Sequence, residues 1–189
     1  AEVGEAVGVE TLVLKDGRVL LHRAYGVEDV DTQKPLEPGA IWSVKSMTKP
    51  LVALAILLLV DDGKLALHEP ISTWLPDFAG DGRVTVADLL SHNSGVAGLG
   101  WSDHEFETLR AWVEAWAEMP PEGPMGQYRY SDFNFAVAAL VVAERSGMTT
   151  QEFIARRILS PLGMEDSYLT FDPSFDWAPR VPSRYVKRD

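Results

Sequence analysis

The chain has 189 residues, 17 Lys and Arg against 28 Asp and Glu for a formal net charge of −11, 46% hydrophobic and 24% charged residues, and no cysteine. That length can bury a sizeable single core, and the near-average apolar and charged shares exclude a wholly disordered or fibrous chain. The acidic balance argues against nucleic-acid or anionic-membrane partners, and the lack of cysteine excludes disulfides, thiolate metal sites and a cysteine nucleophile.

In chain order, the first expected element is a β-hairpin over residues 9–25, where VETLVL and RVLLHRAY flank Lys15-Asp16-Gly17. Asp-Gly between apolar runs is a strong short-range hairpin signal. Residues 29–41 are turn-rich. A helix should start at Ser46 and stop at Gly63; its core, LVALAILLLV at 51–60, is about half of a bilayer span and predicts a buried helix with no membrane span. Thr85 with Asp88, and Thr149 with Glu152, have the spacing of capping boxes and predict two further helix starts, the second helix ending before Pro161. Between them, Asp103 to Met119 carries Phe106, Leu109, Val113 and Trp116 at helical spacing. Ser131 to Arg145 is apolar nearly all round and should be a buried helix closed by Gly147. The tail after residue 169 is proline- and aromatic-rich, and its basic residues Arg180, Arg184, Lys187 and Arg188 suggest a solvated end. One hairpin followed by a run of helices is an α+β pattern with too few strands to cover its helices.

Ser46-Met-Thr-Lys49 is the only S-x-x-K in the chain. Residues three apart on a helix share a face, so the lysine can reach the serine hydroxyl, which is a weak nucleophile until a base removes its proton. A serine at the first helical turn also directs its backbone N–H and the helix dipole at the group it attacks. Pro50 is compatible with a first turn. Tyr130 and Asp132 stand at a loop-to-helix junction, where a phenol can shuttle a proton. Taken singly, Tyr130 could be an ordinary packed aromatic and Asp132 a helix cap.

Four ordered runs, IWSVKSMTKP (41–50), LLSHNSG (89–95), YRYSD (128–132) and ILSPLGM (158–164), resemble the serine β-lactamase-like superfamily. The order and spacing look most like its class C β-lactamase-related group, which includes family VIII carboxylesterases and D-aminopeptidases. The resemblance implies a β-lactamase/transpeptidase-like fold, an antiparallel sheet flanked by helices plus a helical subdomain, incomplete in this chain. Residues 1–28 would be the sheet hairpin, 46–169 the mainly helical region and 170–189 an irregular tail. The remaining strands, a third motif and a closing helix are expected on a companion C-terminal polypeptide. In relatives that third motif adds a second oxyanion-hole N–H, and losing such a donor costs on the order of 100- to 1,000-fold in rate.

The resemblance also implies roles. Ser46 would be the acylated nucleophile, Lys49 its base and Tyr130 the proton relay to the leaving group. Asp132 would be a substrate-binding residue where many relatives have asparagine; a carboxylate only accepts hydrogen bonds, and it favours a protonated Lys49. Trp101 is the substrate-pocket candidate, while Phe106, Trp112 and Trp116 suit helix core and His92 suits a structural loop position. The implied activity is that of a serine hydrolase, foremost a carboxylesterase on small to medium esters. A β-lactamase or D-amino-acid peptidase is the rival within the superfamily, and a catalytically silent binding module the rival from another class. A small ester or amide is the expected substrate, with no metal and no cofactor. No targeting leader is evident, which leaves the compartment open with the cytoplasm favoured over a secreted or periplasmic location.

Overall fold

A computed structural model describes residues 6–75, 82–96, 108–117, 121–170 and 173–183. The chain divides into two units, residues 1–44 with 166–189, and residues 45–165. In the first unit, β1 (Gly8–Lys15) and β2 (Arg18–Gly26) pair antiparallel, with Val9 opposite Tyr25 and Lys15 opposite Arg18. Asp16 and Gly17 form the expected two-residue turn, both with positive φ (49° and 73°), the backbone twist that matches flanking strands. A bulge between Val13 and Leu14 breaks the register near the turn. Val9 and Val13 on one face and Leu12 and Leu14 on the other are all exposed. Strands apolar on both faces are typical of sheets covered on both sides.

Glu10 joins the hairpin to the segment that follows it. Its carboxylate accepts from Gly39 N–H at 2.7 Å, Trp42 Nε1 at 2.7 Å and His22 Nε2 at 2.6 Å. Burial acts to raise its pKa, but those donors outweigh it and hold the carboxyl below its ordinary value. Of the basic residues of the expected solvated tail, Arg180 is exposed and partnered, while Arg184, Lys187 and Arg188 lie outside the described residues. The Arg180 guanidinium donates to both oxygens of Asp166 and to the Gly39 carbonyl, and Trp177 stacks on Tyr168 with centroids 4.1 Å apart. The planar guanidinium fork serves a carboxylate and a carbonyl at once while staying 42% exposed.

The second unit is helical. A 3₁₀ turn, Lys45–Thr48, leads into α1 (Lys49–Asp61), followed by α2 (Val86–Leu90), α3 (Leu109–Ala117), α4 (Asp132–Ser146) and α5 (Thr150–Ile154), which continues as a π-turn over Ala155–Leu159. Both capping boxes form: Thr85 Oγ1 accepts from Asp88 N–H while Asp88 accepts from Thr85 N–H, and Thr149 and Glu152 do the same. Helix α4 packs against α1, α2, α3 and α5, which explains its apolar residues all round. Phe133, Val137, Leu140 and Val141 of α4 meet a core built from Ile56 and Leu59 of α1, Leu89 of α2 and Phe153 of α5. Gly147 at φ 70° closes α4 as expected.

Helix α3 turns Val113 of its stripe and the core candidate Trp112 inward. Trp112 and Val113 are buried, with Trp112 edge-on to Phe133 at 5.5 Å, whereas Leu109 is only half-buried. Trp101, Phe106 and the side chain of Trp116 lie outside the described residues.

Candidate active site

Lys45 takes a left-handed conformation, φ 49°, and turns the chain into the 3₁₀ segment that carries Ser46. The nucleophile candidate therefore lies one turn before α1 rather than in the first turn of the α-helix itself. In a 3₁₀ turn side chains at i and i+3 eclipse, so Lys49 is aimed at Ser46 by local geometry alone. Lys49 Nζ donates to Ser46 Oγ at 3.0 Å, and Ser46 is exposed.

Tyr130 arrives from the far side of the sequence. Its hydroxyl donates to Ser46 Oγ at 2.6 Å across a separation of 84 residues. Lys49 Nζ also sits over the Tyr130 ring, 4.8 Å from the centroid, and 5.8 Å from that of Phe135. Both faces offer the ammonium a favourable quadrupole.

Asp132 completes the group. Ser131 is the N-cap of α4 and makes no side-chain capping bond, while Asp132, the first helical residue, forms an ion pair with Lys49 through Oδ1. The cap reading of Asp132 is thus replaced by a tertiary contact. Burial, the largest influence on Lys49, lowers its pKa, but the hydrogen bonds to Asp132 and Tyr130 and the charge of both raise it above an ordinary lysine overall. The ammonium form is the one this arrangement favours.

The LLSHNSG segment, expected to be structural, holds Tyr130 in place. His92 Nδ1 accepts the Ser131 N–H at 3.1 Å, and the His92 ring packs on Tyr130 with centroids 4.6 Å apart. Arg129 N–H donates to the His92 carbonyl at 2.8 Å, fixing the residue before the tyrosine. Ser94 Oγ donates to Asn134 Oδ1 at 2.7 Å in the buried interior. The Gly95 carbonyl accepts from Glu122 N–H at 3.0 Å and Gly123 N–H at 3.3 Å. An accepting Nδ1 requires the neutral ring with its proton on Nε2. Burial first, and the Lys49 charge second, hold His92 below its ordinary pKa, which keeps that acceptor available. Phe135, part of the apolar run of α4, also lines Lys49. Its spacing five residues after Tyr130 carries no signal for that.

The described residues contain no group of three or more His, Asp or Glu placed to hold a metal, and no described helix is long and apolar enough to cross a membrane. The arrangement supplies a hydroxyl nucleophile with two proton-carrying partners, which suits acyl transfer.

A family model described as Beta-lactamase matches residues 1–184. Esterase EstB of Burkholderia gladioli is 34% identical over 185 residues, covering 85% of this chain and 46% of that protein. Penicillin-binding protein 4* of Bacillus subtilis (strain 168) is 28% identical over 165 residues, covering 82% of this chain and 36% of that protein. Among solved structures, D-amino acid amidase from Ochrobactrum anthropi SV3 superposes with a TM-score of 0.76 at 27% identity, covering 85% of this chain and 46% of that one. The chain therefore spans less than half the length of these relatives.

Proposed function

This chain belongs to the beta-lactamase family and shares its β-lactamase/transpeptidase-like fold, and from that premise we propose that it serves a serine hydrolase working through an acyl-enzyme on Ser46, a carboxylesterase acting on small to medium esters. The observation that carries the reading is the meeting at one oxygen: Ser46 Oγ lies 3.0 Å from Lys49 Nζ and 2.6 Å from Tyr130 OH. In the first half-reaction Oγ bonds to the ester carbonyl carbon and its proton passes into the Lys49–Tyr130 pair. The C–O bond to the leaving alkoxide then breaks, and the pair returns a proton to that oxygen. Water attacks the acyl group in the second half, giving its proton to the pair and regenerating the Ser46 hydroxyl. Asp132 favours the ammonium of Lys49, and an ammonium beside a neutral phenol has no vacancy for the Ser46 proton, so the pair acts as base in the form that has given up one proton between Lys49 and Tyr130. The esterase relative, at 34% identity, supports an ester over an amide substrate.

A serine-directed fluorophosphonate should label the whole native protein, and Ser46→Ala should abolish the label. Hydrolysis of p-nitrophenyl butyrate in preference to nitrocefin would support esterase over β-lactamase. No labelling of the intact protein would replace the enzyme reading by that of a silent binding module.

The proposal extends to a partner. Apolar side chains exposed on both faces of β1 and β2 call for cover that a two-stranded ribbon cannot give itself. Strands of a companion C-terminal polypeptide would provide it. Intact mass spectrometry of native material under denaturing conditions should show a second polypeptide; a single chain of this mass would refute the companion.

A further inference from the structure

A single proton separates the resting site from the reactive one, and a carboxylate opposes its departure. The Lys49 ammonium donates to Ser46 Oγ at 3.0 Å and to Asp132 Oδ1. It also lies over the ring of Tyr130, whose hydroxyl donates to the same Ser46 Oγ at 2.6 Å. The pair becomes a base only after one proton has left it. With Asp132 ionised, that loss takes Asp132, Lys49 and Tyr130 together from neutral to one net negative charge, whichever of Lys49 and Tyr130 gives up the proton. With an uncharged amide at position 132 the same loss would run from one net positive charge to neutral. The carboxylate therefore resists the step in both microscopic forms, and the Lys49 side chain, at 15% exposure, is little screened by water.

The other groups around the pair do not offset this. Phe135 of α4 is apolar, with its ring centroid 5.8 Å from Lys49 Nζ. His92 packs on Tyr130 at 4.6 Å and has Tyr128 edge-on at 5.8 Å; held below its ordinary value, its ring stays neutral from pH 7 upward. Arg129, from the Tyr130 loop, is paired with Glu122 at 2.8 Å.

Resting on the hydrolase reading above, we infer that Asp132 is a positioning residue that sets the pH range of the reaction: by holding a proton on the Lys49–Tyr130 pair, it confines activation of Ser46 to alkaline pH. An opposite charge in contact with an ionisable group displaces its titration by about one to three pH units. The 36% exposure of the Asp132 side chain places the effect near the lower end.

The test follows kcat/KM of the whole native protein for p-nitrophenyl butyrate between pH 7 and pH 10, where its pH dependence reports groups of the free enzyme. The wild type should climb about tenfold per pH unit without levelling off below about pH 9.5, and Asp132→Asn should level off about one unit or more below that. Asp132→Glu, which keeps the charge, should follow the wild type. The rate of fluorophosphonate labelling at Ser46 needs the same proton loss but no recognition of an acyl group. It should show the same displacement, and it serves where Asp132→Asn turns over too slowly to follow. A wild type already level at neutral pH, or curves of one shape for wild type and Asp132→Asn in both readouts, overturns the inference and leaves the hydrolase reading standing. The absence of Ser46-dependent hydrolysis and labelling at every pH refutes that reading and this inference together.

Discussion

Replacing Tyr130 with phenylalanine removes one oxygen and little else. The ring keeps its packing on His92 at 4.6 Å and its place under the Lys49 ammonium at 4.8 Å. What disappears is the hydroxyl donating to Ser46 Oγ at 2.6 Å. Tyr130 is 45% exposed, so the lost hydrogen bond should cost about 1 kcal/mol of stability or less. In a chain of this size that is a shift of roughly 2–4 °C in Tm. The catalytic loss should be far larger, because a positioned proton shuttle contributes roughly 10²–10⁴-fold. That corresponds to about 3–5 kcal/mol in the barrier. The assay is kcat/KM for p-nitrophenyl butyrate with a thermal melt on the same sample of the whole native protein. A variant that melts with the wild type and loses at least 100-fold in rate fits the relay role. Activity within a few-fold of wild type would refute it, since Lys49 at 3.0 Å from Oγ would then suffice alone.

Two further outcomes follow from the loop that holds Tyr130. His92 is held below its ordinary value of 6.5 by burial and by Lys49, so its neutral form stabilises the fold in full above about pH 6.5. That contribution is lost as pH falls through the lower folded value, because the unfolded chain binds the proton more readily. Tm should therefore drop between pH 7 and pH 5 by more in the wild type than in His92→Asn, and an equal drop in both would count against the assignment. Gly95 has φ 75°, and a Cβ there would lie 2.4 Å from the Gly123 carbonyl oxygen. Gly95→Ala should destabilise by at least 1–3 kcal/mol from backbone strain, with the clash adding to it. Urea unfolding that showed no change would mean that the loop has more room than this geometry allows.

The local elements were legible in the sequence because their causes are local. Asp16-Gly17 specifies a tight turn through positive φ, Thr85 and Thr149 satisfy helix N–H groups within three residues, and Gly147 ends α4 by adopting φ 70°. Ser46 and Lys49 belong with them, since three residues of helical chain put one beside the other. Only the packing of α4 against α1 and α2 decided the rest. It brought Tyr130 to Ser46 across 84 residues, drew Asp132 away from a capping role to Lys49 and gave His92 the Ser131 N–H to hold. In the other unit tertiary contact fastened Arg180 to Asp166 and Gly39. Sequence spacing fixes which side chains meet within a turn or two, whereas contacts between distant segments depend on how helices pack, and that is set by the whole core at once.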